Sequence, residues 1–292
     1  MKLPQSFGCP GKEWLLIATI CLVTASILGV GLGVGLGRSH SYHSAPNSST
    51  FTTPGSFWRP VVGTHWQIVL NHTLANQGYD VPIYDIDLFL TSAKAIAHLH
   101  AARRRVICYF SAGSYEPFRP DSDKFENRDK GLALDGWPDE YWLDTRSLNV
   151  RSVMKARLAL AAQIGCDGVD PDNIDGYDNA TGFDLTAADA IDFIKFLANE
   201  AHFHNVSIGL KNAGALVPFV LRLMEWEVTE QCVQYDECQM FRPFVDVDKP
   251  VFHIEYANDL ATQRTAVCRD EKARGFSTVL KDISLDSRVV RC

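Results

Sequence analysis

Between Trp66 and Lys281, short β-rich runs alternate with stretches of helical period. The runs fall at 66–70, 81–86, 105–110, 168–170, 206–210, 226–229, 251–256 and 276–280. Several are continuously apolar, the pattern of strands buried on both faces of a parallel sheet. In the segment 152–164, Met154, Leu158 and Ala161 share one helical face, and Thr186-Ala-Ala-Asp189 reads as a capping box. Ala190, Ile194, Leu197 and Ala201 follow it at helical spacing, and segments near 92–102, 214–223 and 259–273 are similar. Eight alternations predict an α/β chain folded as a (β/α)8 TIM-type barrel, for which about 250 residues is usual. A doubly wound open sheet is the alternative, but no Gly-x-Gly-x-x-Gly follows the first run.

Ahead of the barrel, residues 14–36 carry no charge and are almost wholly apolar or small. At about 1.5 Å per residue they can cross a bilayer core of roughly 30 Å, whereas a cleaved leader has an apolar core of about 7–15 residues. The pattern predicts a single N-terminal transmembrane helix acting as a signal anchor at 14–36. Residues 1–13 form a cytoplasmic tail, 37–57 a Ser/Thr/Pro-rich stalk, and 58–292 the barrel. Lys2 and Lys12 precede the span, a slight positive-inside bias towards a type II orientation at the cell membrane with the barrel extracellular.

Two further patterns point outside the cell. Acceptor triplets for N-glycosylation begin at Asn47, Asn71, Asn179 and Asn205, all beyond the span. Six of the eight cysteines also lie beyond it, an even number that suits disulfides. Six cysteines allow 15 pairings. Local spacing suggests Cys232–Cys238 and Cys268–Cys292, leaving Cys108 for Cys166. No Cys-x-x-Cys supports the rival zinc reading.

Hydrophobic residues at 46% and charged residues at 22% are ordinary for a globular domain, so composition adds no second class. A net charge of −7 argues against a nucleic-acid partner and favours a cationic ligand. A monomer needing no cofactor or metal is expected.

Candidate chemistry concentrates at 165–179, where Asp167, Asp170, Asp172, Asp175 and Asp178 crowd one strand end. Such carboxylates repel unless a cation or a split between acid and base compensates. Asp175 and Asp178 read as turn residues. An EF-hand order would need an oxygen ligand at 174 and glycine at 175, where this chain has Ile174 and Asp175. Barrel chemistry sits at C-terminal strand ends. Those ends bring together Tyr84-Asp85, Tyr109, Asp170-Pro171-Asp172, Lys211-Asn212, Glu230, Glu255-Tyr256 and Lys281-Asp282.

Four stretches carry a family resemblance: Tyr84-Asp-Ile-Asp87, Ile107-Cys-Tyr-Phe-Ser-Ala-Gly113, Gly168-Val-Asp-Pro-Asp-Asn173 and Leu210-Lys-Asn212. With them the chain resembles glycoside hydrolase family 114, the endo-α-1,4-polygalactosaminidases, over essentially all of 58–292. The resemblance implies a (β/α)8 barrel that cuts within chains of α-1,4-linked galactosamine. The anchored form is similar to fungal members that act on galactosaminogalactan, a cationic biofilm polysaccharide. Glycosidic cleavage generally uses two carboxyl groups, about 5–5.5 Å apart when configuration is retained and roughly 6.5–9.5 Å apart when it is inverted. Asp172 as nucleophile and Glu230 as acid/base are the expected pair, with a lean towards retention. Asp85, Tyr109, Asp170, Lys211, Asn212, Glu255 and Tyr256 are the expected substrate-binding residues, Asp170 being equally suited to hold Lys211. A salt bridge from Lys211 to Asp170 or Asp172 would neutralise that lysine. Glu227 is expected to face the helices.

Two other readings stay open. The run Asp167-Gly-Val-Asp-Pro-Asp resembles that of chitinase-like hydrolases, but their terminal glutamate is missing. A non-catalytic, membrane-tethered carbohydrate-binding protein is the alternative from another class.

Overall fold

The computed structural model describes residues 57–72, 80–256 and 260–292. The predicted tail and anchor, nearly all of the stalk and Asn47 lie outside them. No helix among the described residues is long and apolar enough to cross a membrane.

In chain order the strands are β1 (Trp66–Val69), β2 (Ile83–Asp87), β3 (Arg105–Ser111), β4 (Ser114–Tyr115), β5 (Lys130–Leu134) and β6 (Trp137–Leu143). Then come β7 (Gly168–Asp172), β8 (Ser207–Lys211), β9 (Trp226–Glu230), β10 (Val251–Tyr256), β11 (Ser277–Lys281) and β12 (Val290–Arg291). The helices are α1 (Ala93–Ala101), α2 (Leu148–Ile164), α3 (Ala187–Phe203), α4 (Val217–Val220), α5 (Arg242–Asp246) and α6 (Leu260–Cys268). One sheet runs β1-β2-β3-β7-β8-β9-β10-β11-β12, parallel throughout except for the antiparallel β12. All eight expected strands are present, each within two residues of its expected limits.

The sheet curls in the manner of a TIM-like fold. No ladder joins β1 to β11; side chains and a loop do so instead. Trp66 Nε1 donates to the Ser277 carbonyl at 2.7 Å, Lys281 Nζ to Gln67 Oε1 at 3.1 Å, and the Leu70 amide to the Leu285 carbonyl at 3.0 Å. Period-two alternation directs Trp66, Ile68, Ile83, Ile107, Trp226, Val228, Phe252, Ile254 and Val279 into one apolar cluster inside the curl. A larger cluster outside the strands seats α1, α2 and α3.

Local signals set the helix limits. The Ser147 hydroxyl caps α2, which ends at Gly165 with φ 98°, a left-handed stop suited to glycine. Thr186 and Asp189 form the capping box of α3 as expected. The 214–223 segment is less helical than its periodicity suggests, a 3-10 turn followed by the short α4. Inside the curl the buried Trp226 ring depends on glycines opposite it. A Cβ on Gly168 would stand 2.3 Å from the ring, and one on Gly209 would stand 2.0 Å from its Nε1.

Two features lie beyond the expected alternation. β4, β6 and β5 form a separate three-stranded antiparallel sheet within the long β3-to-α2 connection. β12 adds an edge beside β11. The disulfides join Cys108 to Cys166, Cys232 to Cys238 and Cys268 to Cys292, with Cα atoms 5.9, 4.7 and 5.2 Å apart. The pairing suggested by spacing is the one present. Asn71, Asn179 and Asn205 are exposed.

Candidate active site

Asp172, Lys211, Glu230 and Tyr256 are the last residues of β7, β8, β9 and β10, so the curl gathers them at one rim. β7 and β8 pair only at Gly168–Ser207 and Val169–Ile208. Pro171, which has no N–H to donate, follows, and the two strands part where the Lys211 amine enters. That amine lies 3.2 Å from Asp172 Oδ1 and 3.2 Å from Glu230 Oε2. Lys211 is 3% exposed, so both ion pairs form almost without solvent screening.

Each carboxylate has further donors. Asp172 accepts from the Tyr109 hydroxyl at 2.9 Å and from the Asn173 amide at 2.8 Å. Glu230 accepts from Asn212 Nδ2 at 3.0 Å and from the Tyr256 hydroxyl. Burial opposes charge on Glu230, but Lys211, Tyr256 and Asn212 outweigh it and hold the carboxyl below its usual range. Burial likewise opposes charge on Lys211, while Asp172 and Glu230 keep its ammonium protonated well beyond the ordinary lysine range. Burial first, then the neighbouring carboxylate, pushes Tyr109 and Tyr256 well up, so both hydroxyls remain donors.

The backbone contributes as well. Asn173, Asn212 and Gln231 follow the functional residues of three adjacent strands and have φ of 59°, 53° and 58°. Left-handed residues other than glycine are uncommon and gather at functional sites. Here each one ends a strand and turns the chain away from the rim. The turn at 212 also explains how adjacent residues serve one site. Lys211 points inward by alternation, and Asn212 swings back onto Glu230.

The remaining expected residues are placed differently. Asp85 and Asp170 point into the curl beneath the rim, fully buried and facing each other, and neither carboxyl has a side-chain hydrogen-bond partner among the described residues except the other. Burial raises Asp85 well above its normal range. Burial also raises Asp170, to about 7, with Lys211 pulling down and Asp172 and Glu230 pushing up. Lys211 therefore bridges Asp172 and Glu230 rather than Asp170. Glu255 does not reach the rim. Period two sends Ile254 and Tyr256 inward, so Glu255 turns outward to His253 Nε2 at 2.8 Å and to the Val233 amide at 2.8 Å. Tyr109 and Tyr256 use their hydroxyls on the carboxylates.

Sequence reasoning did not single out several neighbours. Asn173 Nδ2 donates to Ser111 Oγ at 2.9 Å and Ser114 Oγ at 3.3 Å, and Ser114 Oγ donates to Glu140 Oε2 at 3.1 Å. Asp87, at the end of β2, takes Arg119 at 2.6 Å, and Arg119 also grips Glu116 with two nitrogens at 2.7 Å. Asn173 and Asp87 lie inside the quoted motifs and were legible there. Glu140 sits in an exposed strand with no periodic signal. Among the described residues, Cys232, Cys238 and His253 cluster closely enough to suggest a metal. The two cysteines are joined as a disulfide, so they offer no thiolate.

Two carboxylates flanking one cation at a barrel rim can attack a sugar carbon and handle a proton on its leaving oxygen. The sequence model of glycoside-hydrolase family GH114 matches residues 47–292. Among solved structures, Ega3 of Aspergillus fumigatus in complex with galactosamine is 52% identical. The match covers 83% of this chain and 100% of that one, at a TM-score of 0.79. The glycoside hydrolase domain of PelA from Pseudomonas aeruginosa shares 12% identity over 77% of this chain and 97% of that one. Its TM-score of 0.62 marks a shared fold. No curated protein sequence matches the chain.

Proposed function

The chain belongs to glycoside-hydrolase family GH114, and from that premise we propose that it cuts α-1,4-linked galactosamine within a cationic exopolysaccharide such as galactosaminogalactan. The observation that carries the reading is the Lys211 amine shared by Asp172 and Glu230. Two legs of 3.2 Å cap their nearest oxygen–oxygen separation at about 6.4 Å, close enough for both carboxylates to flank one sugar linkage. Retention is the mechanism taken here. The galactosamine held by the 52% identical Ega3 supports the substrate class.

In that mechanism Asp172 attacks the anomeric carbon while Glu230 protonates the departing oxygen. Glu230 then takes a proton from the water that releases the sugar from Asp172. The Glu230 carboxyl is held ionised in the ligand-free site. For Glu230 to donate, the glycosidic oxygen displaces the Lys211 amine from it, leaving lysine with Asp172, and the carboxyl takes up one proton from solvent before the bond breaks. Tyr109, Asn212 and Tyr256 hold the two carboxylates in position.

The eight parallel strands support full closure as a (β/α)8 barrel. The apolar stretch 14–36 supports a type II membrane anchor that presents the barrel outside the cell, as a monomer. Exposed Asn71, Asn179 and Asn205, with Asn47, are the proposed glycan sites, and the three disulfides suit that compartment.

The test is incubation of the full chain with de-N-acetylated α-1,4-galactosamine polymer, reading new reducing ends and following the first-formed anomer by NMR. Oligomers released as the α-anomer are expected, with Asp172→Asn and Glu230→Gln each reduced about 10²–10⁴-fold. A first-formed β-anomer overturns retention. Binding without cutting favours the tethered carbohydrate-binding protein. Cutting restricted to N-acetylated chains favours the chitinase-like reading.

A further inference from the structure

The sheet β4-β6-β5 forms an open cleft of about 810 Å³ between its outer face and the loop after β4. Its walls include Tyr115, Phe118, Trp137, Asp139, Glu140 and Tyr141. The volume lies within the roughly 300–1,000 Å³ of small-ligand sites. Trp137 is 47% exposed and Phe118 is 67% exposed. Exposed rings of this size grouped in one concave place suit a sugar's apolar face better than open water.

The cleft is also wired to the rim. Glu140 accepts from Ser114 Oγ at 3.1 Å, Ser114 Oγ accepts from Asn173 Nδ2 at 3.3 Å, and the Asn173 amide donates to Asp172 Oδ1 at 2.8 Å. Burial pushes the Glu140 carboxyl up to about 7, Glu116 and Asp172 adding repulsion while the Ser114 hydroxyl and Arg119 pull it back. An added cation would relieve that crowding. The cleft's own ammonium does not do so, because Lys130 Nζ sits 4.4 Å over the Tyr115 ring. Tyr115 is thereby occupied, and Trp137 and Tyr141 remain for a ligand.

We propose that this cleft is a substrate subsite, one or more sugar residues from the bond that is cut, in which Glu140 takes the ammonium of a glucosamine-type or galactosamine-type unit and Trp137 packs on its ring. The inference rests on the activity proposed above and adds where a second unit of the same polymer is read. Its consequence is selectivity. An N-acetyl group removes the cation and places a bulkier neutral amide against Glu140, so free-amine units are preferred at this position.

The experiment compares full-chain wild type, Glu140→Gln and Trp137→Ala on de-N-acetylated α-1,4-galactosamine oligomers of graded length and on partly N-acetylated polymer. Glu140→Gln is expected to raise KM about tenfold, the scale of one lost charged contact, only for oligomers long enough to reach the cleft. Mass spectra of its products are expected to show N-acetylated units at a position the wild type refuses. Trp137→Ala is expected to raise KM on long oligomers whatever their acetylation. Unchanged KM and unchanged product patterns in both variants overturn the subsite. A binding arm separates this from the activity reading. Oligomer titration of the Glu230→Gln chain, followed by tryptophan fluorescence, requires no cutting. Weaker binding on adding Glu140→Gln supports the subsite even if wild type cuts nothing, and unaltered binding overturns it.

Discussion

Asn212 and Glu230 hold each other in both directions. Asn212 Nδ2 donates to Glu230 Oε2 at 3.0 Å, and the Glu230 amide donates back to Asn212 Oδ1 at 3.0 Å. The exchange locks the end of β9 to the turn after β8 and fixes the rotamer of the carboxylate. A side chain with both an acceptor and a donor is required, which aspartate or leucine cannot supply.

Replacing Asn212 by glycine keeps the left-handed backbone and removes both bonds. A hydrogen bond to a charged group contributes about 1.5–3 kcal/mol, so kcat is expected to fall roughly 10–100-fold. KM should move little, because the contact positions a carboxylate. Asn212→Ala should add a loss of stability from its φ of 53°. Equal kcat in wild type and Asn212→Gly, measured on the same oligomer, would falsify the positioning role.

Among the described residues Lys211 alone is bonded to both carboxylates, and it draws Glu230 downward. Lys211→Met therefore leaves two half-buried anions facing each other, and one of them must take up a proton more readily. The acidic limb of the kcat/KM profile is expected to move to higher pH. Activity at the optimum is expected to fall at least about 100-fold, on the scale of one lost transition-state contact. Lys211→Arg should restore part of the pH profile. A Met variant whose limb stays at the wild-type pH would sink the claim that the Lys211 amine governs the charge of the pair.

The barrel strands could be read from sequence because parallel core strands are continuous apolar runs, and the rim could be read because chemistry there falls on last residues. Asp172, Lys211, Glu230 and Tyr256 share that property. Glu255 misled because two adjacent strand residues cannot both face inward. Asp85 misled for another reason: a polar residue one step below the rim looks like a rim residue until burial is known. The sheet β4-β6-β5 left no pattern. Ala133 and Trp137 are exposed, and the register between β5 and β6 slips twice, which breaks the alternation that would have announced it. Glu140 was hidden with it.

Stability should fall as pH rises through mildly acidic values. Asp170 is raised to about 7 when folded, against about 3.9 unfolded. An acid raised by folding contributes its stability below the unfolded value and loses it as pH climbs through the folded one. The loss runs at up to about 1.4 kcal/mol per pH unit between roughly pH 4 and 7. Asp85 and Glu227, also raised by burial, extend the fall upward, while Glu230, held low, contributes a slope of the opposite sign only below about pH 4 and a constant stabilisation above it. Asp170→Asn should flatten the decline in Tm between roughly pH 4 and 7. A slope as steep as wild type would reject the buried-acid explanation.

Gly209 tests the floor of the curl. A methyl group there would sit 2.0 Å from Trp226 Nε1, and the ring is fully buried among Trp66, Val228 and Phe252. Overpacking of a filled core costs about 1–3 kcal/mol, which lowers Tm by about 2–12 °C in a domain of this size. A second effect acts in the opposite direction, since alanine in place of a strand glycine removes freedom from the unfolded chain and alone tends to stabilise. Trp226→Leu combined with Gly209→Ala separates them. The leucine leaves room for the methyl group, so the double variant should lose less stability than the two single losses added together. Strict additivity, read by chemical denaturation, would mean that the methyl group and the ring never meet and that the glycine is there for another reason. Coupling would show that the short side chains of β7 and β8 exist to admit the indole that supports the rim above it.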